Sequence, residues 1–391
     1  MKLGLLSDVS NIISGFAFKS EWFGAGSDKI IRIGNLQNGL ISDAKILTVD
    51  AKKKKISSNF RIKKNDILMA LSGATTGKIA VAKDKDVGSY INQRVAIIRG
   101  KTSENKSFLR HIFNGEILKQ LLENAYGAAQ PNLSPKDLGK LKIPIPTIDE
   151  QKNISTILDI TENTIHLRKQ AIIKLHELVQ SVFEDIFGNT INNNKNWPIK
   201  KIGGLVKKLG SGATPRGGSG SYKSKGISLI RSLNVHNGVF KFKNLAFIDE
   251  EQALKLSNVK VEKNDVLLNI TGASVARVCT APESILPARV NQHVMIIRPK
   301  SNLDSIFLEH LLLSSEIKKK LLSIAGSGAT REAITKAKIE NLEIIVPPIE
   351  VQNIFVNIFN NLKNLENNML LCLNKTHNLS LSLKDKLFKL N

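Results

Sequence analysis

The chain carries one pattern twice at a constant offset, and this limits the folds open to it more than any other feature. Lys64-Asn65-Asp66-Ile67-Leu68 returns as Lys263-Asn264-Asp265-Val266-Leu267, and Ser72-Gly73-Ala74-Thr75 as Thr271-Gly272-Ala273-Ser274. Asn92-Gln93-Arg94-Val95 returns as Asn291-Gln292-His293-Val294, and Ile97-Ile98-Arg99 as Ile296-Ile297-Arg298. Upstream, Arg32, Asn35, Asn38 and Gly39 match Arg231, Asn234, Asn237 and Gly238. Every pair is 199 residues apart, as Asn65 is from Asn264. A constant spacing over such a stretch means a duplicated domain.

Both copies close alike. Leu141-Lys142-Ile143-Pro144-Ile145-Pro146 precedes Thr147-Ile148-Asp149-Glu150-Gln151, and Leu342-Glu343-Ile344-Ile345-Val346-Pro347-Pro348 precedes Ile349-Glu350-Val351-Gln352. Prolines there stop a strand and permit a helix to start. Thr147 and Glu150 have the spacing of a capping box. A long helical pattern follows each stop. In the first, Ile154, Leu158, Ile165, Ile172, Leu175, Val179, Val182 and Ile186 form an a/d seam with Thr161 and Arg168 as polar exceptions. In the second the seam is Phe355, Ile358, Leu362, Leu365, Met369, Cys372, Leu379, Leu383 and Leu390, broken by Thr376 and Lys386. Neither run contains Pro or Gly, which favours coiled coil, and helices of roughly 38–40 residues extend about 57–60 Å.

Gly188 and the asparagine-rich run to Asn196 read as a polar linker, and Trp197-Pro198 opens the second copy. The plan is a globule over 1–148, a helix over 149–188, linker and second globule over 189–348, and a second helix over 349–391. Short β-rich runs fall at Ile30–Ile33, Ile67–Leu71, Val95–Ile98, Ile227–Ile230, Val266–Ile270 and Val294–Ile297, and amphipathic helices fit Lys106–Asn124 and Ser305–Ile324. Each globule therefore reads as α+β, a compact β core decorated by helices.

Charge points to the partner. The net charge is +23 over 391 residues. Residues 51–100 hold 12 Lys/Arg against 3 Asp/Glu, and residues 201–250 hold 9 against 2, so two windows supply 16 of the net positives. Two basic centres, one per copy, suggest two polyanion-binding surfaces, with nucleic acid the first candidate. Cys279 and Cys372 are too few for a disulfide framework and fit a reducing cytoplasm. No apolar run approaches a membrane span, and Met1–Leu6 is cut short by Ser7 and Asp8 before it reads as a signal peptide.

Catalytic motifs are poor by comparison. Gly73-Ala74-Thr75-Thr76-Gly77-Lys78-Ile79 has three residues between its glycines and Ile after the Lys, so it fails as a P-loop. It reads better as a small-residue turn offering hydroxyls, amides and one cation to a phosphate backbone. The seven histidines show no metal-ligand spacing, and no nucleophile elbow or cofactor fingerprint occurs. A binding subunit fits this better than an enzyme.

If the copies read different sequences, shared residues build scaffold or grip phosphate, and residues that differ at matched positions carry specificity. Thr76/Val275 and Arg94/His293 are then candidate readers, with Lys78/Arg277 and Arg32/Arg231 as backbone clamps. The shared Asn92-Gln93 and Asn291-Gln292 pairs either bond base edges or hold a turn. Thr75 and Ser274 belong to the same DNA-facing set. The most divergent loops run from Ala17 to Asp28 and from Ser211 to Gly226; the latter, with Arg216, Tyr222, Lys223 and Lys225 among glycines, reads as a flexible basic loop that orders on DNA.

The order and duplication of these motifs resemble the specificity subunit of type I restriction–modification systems. The residues that carry the likeness include Asn65-Asp66-Ile67-Leu68, Asn92-Gln93-Arg94-Val95, Gly127-Ala128-Ala129-Gln130-Pro131-Asn132-Leu133-Ser134 and Phe183-Glu184-Asp185-Ile186-Phe187-Gly188-Asn189, over essentially the whole chain. The second copy departs at Gly328–Thr335, where the Gln-Pro-Asn-Leu-Ser run is lost. The resemblance implies two target-recognition domains linked by two long antiparallel coiled-coil helices. Each domain would read one half of a bipartite target in double-stranded DNA, and the helices would set the spacing. It also implies two modification subunits and a restriction subunit as partners. S-adenosylmethionine, ATP and Mg would sit on those partners, with no cofactor, metal or catalytic residue on this chain. A solitary or exchangeable specificity subunit, or a coiled-coil adaptor without sequence-specific DNA binding, are the alternative readings.

Overall fold

A computed structural model describes residues 2–73, 75–113, 118, 122–123, 133–326 and 333–388. The chain packs as two compact units, Met1–Lys169 with Cys372–Asn391, and Gln170–Leu371. Each unit holds one globule together with a stretch of each long helix.

The same antiparallel sheet is built in both units. In the first, Ser10–Ser14, Val95–Gly100, Ile67–Ala70 and Ile79–Val81 lie side by side in that order. In the second the order is Val206–Ser211, Val294–Pro299, Val266–Asn269 and Val278–Thr280. Register repeats along with sequence: Ile97 faces Leu68, and Ile296 faces Leu267. Alternate side chains of a strand point to opposite faces, and here both faces are covered. Ile67, Met69, Ala96 and Ile98 pack under Phe108 and Leu109, while Leu68, Ala70, Val95 and Ile97 pack on Ile31 and Leu36. The second unit repeats this, with Val266, Leu268 and Ile297 under Phe307 and Leu308, and Leu267, Val294 and Ile296 on Leu229 and Ile230. That double covering explains why these strands read as continuous apolar runs. A smaller sheet joins Asp28–Ile31 to Leu47–Val49 and Tyr90–Ile91, and its counterpart joins Ile227–Ile230 to Ala246–Ile248 and Ala288–Val290. The α+β reading of both globules holds.

The repeated Lys-Asn-Asp motif serves folding. Asn65 and Asn264 turn the chain with φ of 65° and 67°, a left-handed conformation that Asn tolerates better than most residues. The next residue, Asp66 or Asp265, is fully buried. Its carboxylate accepts from the backbone N–H of Lys63 or Glu262. It is also gripped by a two-pronged arginine: Arg99 donates to Asp66 at 2.8 and 2.6 Å, and Arg298 to Asp265 at 2.7 and 2.9 Å. Each arginine gives a further bond to a backbone carbonyl, Arg61 or Lys260.

One expectation about helices needs correction. The pattern over Ser305–Ile324 forms two helices, Ser305–Leu313 and Ser315–Gly326. Ser314 adopts an extended conformation between them, and its hydroxyl donates back to the Leu311 carbonyl at 2.7 Å, the local competition with helical bonding to which serine is prone. In the first copy Ser103–Ile112 is helical, and most of the remaining stretch to Asn124 lies outside the described residues, as do 127–132 and 327–332.

The long helices run Ile148–Phe187 and Ile349–Phe388. The capping box is made, Thr147 N donating to Glu150 at 2.8 Å and Glu150 N to Thr147 Oγ1 at 3.4 Å. The first seam is buried or half-buried along its length. Its polar exception Arg168 meets the polar exception of the other helix, donating to Thr376 Oγ1 and to the Cys372 carbonyl at 2.6 Å. Lys384 bonds Glu162 at 3.0 Å in the same unit, so the helices pair antiparallel there. In the other unit His176 meets Glu366 at 2.8 Å while Phe183 packs on Phe355, again antiparallel. The second seam departs from its strict heptad reading. Leu365, Cys372 and Leu379 are exposed, and the covered stripe runs through Leu362, Glu366, Met369, Leu373, Thr376 and Ser380 instead. The covered positions keep a seven-residue period; the seam holds at Leu362, Met369 and Thr376, and its other half lies one residue further on, at Glu366, Leu373 and Ser380. Leu390 lies outside the described residues.

The segment after the first helix is a structured turn. Gly188 has φ of 73°, and a Cβ there would lie 2.2 Å from Asn194 Oδ1. Asn189 caps the N–H groups of Ile191 and Asn192, and Trp197 Nε1 donates to the Phe187 carbonyl at 3.0 Å.

Asp265→Ala strips the half-buried Arg298 guanidinium of its buried two-pronged partner and leaves it only the more exposed Glu262 carboxylate at 2.7 Å. Chemical denaturation is expected to show a loss of about 3–5 kcal/mol; a loss below about 1 kcal/mol would contradict the structural role given to the motif. Glu162 supplies a second test. The bond to His111 comes first and that to Lys384 next in holding its carboxyl down to about 2. Its contribution is therefore complete above the ordinary carboxylate range and lost as pH falls towards 2. Glu162→Gln is expected to lower the denaturation midpoint at pH 6 and to converge with wild type near pH 2.

Candidate nucleic-acid interface

The start of the strand Val95–Gly100, or Val294–Pro299, organises each candidate surface. The Asn-Gln turn immediately precedes it, and the divergent loop begins against it. A Cβ on Gly15 would lie 2.1 Å from the Asn92 carbonyl oxygen, and one on Gly212 would lie 1.8 Å from that of Val290. Only glycine admits this backbone approach, so both loops are anchored beside the turn.

In the first copy Arg32, Gln37, Lys45, Asn92, Gln93 and Arg94 line one open cleft of about 840 Å³. Gln93 and Arg94 are exposed, and their side chains make no hydrogen bond among the described residues. An unpaired guanidinium in a cleft is suited to phosphate or to the two acceptors of a guanine edge. Lys78 is exposed and lines a neighbouring hollow of about 560 Å³ with Asn38, Gly39 and Gln37, the last shared with the cleft. Thr76 spends its hydroxyl on the Gly73 carbonyl at 2.7 Å, and Thr75 Oγ1 is buried without a partner among the described residues. The described residues Gly73 and Thr75–Gly77 thus bond among themselves and with the neighbouring strand, and they lead into Lys78.

In the second copy Ser232, Thr271, Ser274, Arg277 and His293 line a cleft of about 340 Å³. Gln292 is exposed beside it and bonds His293 at 3.2 Å. Asn291 is buried, and its Oδ1 accepts from His293 N at 3.0 Å, so here the shared asparagine holds the turn. Val275, matched to Thr76, packs in the apolar core and cannot read a base.

Arg32 and Arg231 brace a loop at equivalent places. Arg32 donates to the Lys45 carbonyl at 3.1 Å, and Arg231 to that of Asn244 at 2.5 Å. Both accepting residues have positive φ, 55° and 60°. Asn35 and Asn234 tie the same loops, each accepting from the arginine's backbone N–H and donating across to loop carbonyls. The loop from Ser211 to Gly226 is docked. Arg231 stacks over Tyr222 at 5.2 Å, and Lys223 pairs with Asp249 at 3.2 Å. Arg216 and Lys225 stay exposed, with no ion pair among the described residues.

Sequence reasoning missed Lys45 and Gln37 in the first cleft, and an aromatic patch beside it. Phe16 contacts Phe18, Trp22 and Phe60, and Lys19 and Lys54 lie over Trp22 at 5.8 and 5.2 Å. The signal was the run Phe18, Trp22, Phe23 in a chain that is 5% aromatic, together with the Lys52–Lys55 run. Away from both clefts, His111, Asp159 and Glu162 bring ligand-type atoms within 4.8 Å of one another. Arg110 bonds Asp159 and Lys384 bonds Glu162, so the group is an ion-pair network. No helix among the described residues is long and apolar enough to cross a membrane.

Comparison with known proteins agrees with this architecture. The type I restriction modification DNA specificity domain matches twice, over residues 2–177 and 194–374. The EcoBI specificity subunit of Escherichia coli is 23% identical over 98% of this chain and 84% of its own length. A putative MjaX specificity subunit of Methanocaldococcus jannaschii is 25% identical over 83% of this chain and 77% of its own length. Among solved structures, a chain from work on type I R-M complex assembly and conformational transition superposes with a TM-score of 0.62 at 17% identity, covering 98% of this chain and 96% of that one. The S subunit of a type I system from M. genitalium gives 0.56 at 14% identity, covering 99% and 96%. With the domain model matching both copies over most of their length, the chain belongs to the type I restriction–modification DNA specificity family and carries that family's domain twice.

Proposed function

We propose that this chain is the DNA sequence-specificity subunit of a type I restriction–modification complex, and that each recognition domain reads one half of a bipartite target. The observation that carries the reading is the pair of clefts. They share one matched pair of positions in a repeated frame with the same Arg–Asn loop ties, Arg94 in one copy and His293 in the other, the first cleft extending towards Arg32 and Lys45 and the second towards Thr271 and Arg277. Identical scaffolds with unlike polar faces suit two unlike half-sites.

The long helices supply the spacing. Forty residues of helix rise about 60 Å, more than the roughly 34 Å between half-sites one DNA turn apart. The meeting of Arg168 with Thr376 fixes their register, as polar groups in a seam do. The helices also expose Ile157, Ile160 and Leu167 in one unit and Ile173, Leu178 and Leu371 in the other. Such apolar patches support docking of two modification subunits, with a restriction subunit joining that assembly in the cytoplasm. Methyl transfer, ATP-driven movement and cleavage belong to those partners, along with S-adenosylmethionine, ATP and Mg. This chain contributes the address and performs no bond-making chemistry.

Co-expression with the neighbouring modification subunit, followed by mapping of methylated adenines in host DNA, is expected to give a two-part motif with a fixed gap. Methyl transfer by the isolated chain, or a continuous undivided motif, would contradict the reading. Charge reversal at Lys78 and Arg277 is expected to weaken DNA binding across all sequences. Each substitution should flatten the salt dependence by about one unit of log–log slope and leave capture of the modification subunit intact. Unchanged DNA affinity would remove both residues from the interface.

A further inference from the structure

The exposed amide of Gln292 is held by a chain of hydrogen bonds that its counterpart Gln93 lacks. Thr214 Oγ1, in the divergent loop, donates to the amide oxygen of Gln292. Gln292 Nε2 lies 3.2 Å from His293 Nε2, and His293 Nδ1 lies 2.6 Å from Thr271 Oγ1 in the small-residue turn. Below them, buried Asn291 fixes the backbone of His293. Thr214 thus holds the exposed amide directly, and Thr271 holds it through His293. In the first copy Ser72 stands where Thr271 is and Arg94 where His293 is, and Gln93 has no side-chain bond among the described residues.

A primary amide has two N–H donors and two acceptor lone pairs on its oxygen. Thr214 and His293 occupy one lone pair and one N–H. Turning the amide over exchanges their partners and leaves the same remainder, one N–H and one lone pair. In the major groove adenine offers a matching pair, the N6 amino donor and the N7 acceptor. Guanine presents two acceptors, cytosine an amino donor and thymine an acceptor beside a methyl group. Only adenine satisfies both free positions of an amide already fixed on its other side. We propose that Gln292 reads an adenine in the half-site of the second copy, and that Thr214, Thr271 and His293 are positioning residues that present its amide in that geometry. The first copy, with free Arg94 donors and an unheld Gln93, is built for a different base. This inference rests on the DNA-specificity reading above and assigns a base and a positioning set within it.

The test uses the full chain co-expressed with its modification subunit. Methylated adenines are mapped for wild type, Gln292→Ala, Thr214→Val, Thr271→Val and Thr271→Ser. Gln292→Ala is expected to relax one adenine position in one part of the motif, with discrimination falling roughly tenfold to hundredfold, the range for one bidentate base contact. The other part should be unchanged. Thr214→Val and Thr271→Val are expected to relax the same position, and Thr271→Ser, which keeps the hydroxyl, to restore it. A purely structural role would weaken methylation throughout without singling out one base. In binding assays, 7-deazaadenine at that position removes only the N7 acceptor. It should weaken the wild-type complex and leave the Gln292→Ala complex unaffected. A two-part wild-type motif that Gln292→Ala leaves intact would overturn this inference alone. Absence of any two-part motif in wild type would overturn the functional reading beneath it.

Discussion

Each unit is pinned by a carboxylate that cannot reach water. Asp66 and Asp265 are fully buried, and arginine from the neighbouring strand grips each with two nitrogens. Burying a carboxylate is costly unless it is paired and its remaining lone pairs are bonded. Here the backbone N–H three residues earlier completes the shell, brought into place by the turn at the left-handed asparagine. The result locks the strand beginning at Ile67 or Val266 to the penultimate residue, Arg99 or Arg298, of the strand ending at Gly100 or Pro299. The other end of that second strand carries the Asn-Gln turn. The distance from the pinned pair to the candidate reading surface is therefore one rigid strand in both copies, which lets the surface residues vary while their placement stays fixed.

The joint between helix and globule shows how far two copies diverge under that constraint. In the first unit His111 is buried against Asp159 and near Glu162, which Arg110 and Lys384 neutralise. Its counterpart His310 stands 199 residues later, but the long helices start 201 residues apart, at Ile148 and Ile349, and the positions matched to Asp159 and Glu162 hold Asn360 and Lys363. Phe183, Phe355 and Phe359 surround His310 instead. Burial, with Lys363 adding to it, pushes His310 down to about 4, so this ring stays neutral. One joint is made by charge and the other by aromatic packing, with the same helix geometry.

Much of this was legible in the residues. The constant offset between copies, the proline stops and the capping box were visible because they depend on spacing. The first helical seam was visible for the same reason. Half of the second was misplaced by one residue beyond Leu362, since a heptad read from apolar residues picks Leu365 and Leu379, whereas the covered positions beside them are the polar Glu366 and Ser380. The break at Ser314 was hidden because serine is compatible with a helix until its hydroxyl finds a local carbonyl. Site residues were harder. Arg94, His293 and Arg277 were singled out by comparing matched positions, and they do line the clefts. The same comparison nominated Val275, which is in the core, because a difference between copies records repacking as readily as recognition. Lys45 reaches the first cleft across a loop closed by Arg32, a contact distant in sequence. Thr214 and Thr271 lie in different segments from Gln292, so no local motif joins them.

The central claim is that the two globules are independent reading heads on one antiparallel helix pair. Replacing residues 197–348 by a second copy of residues 1–147, with both long helices kept, puts it to the most direct test when methylation is mapped in the presence of the modification subunit. The account predicts that the half-site of the first copy appears in both parts of the motif, with the gap preserved. Persistence of the original second half-site, or a change in both parts at once, would contradict it.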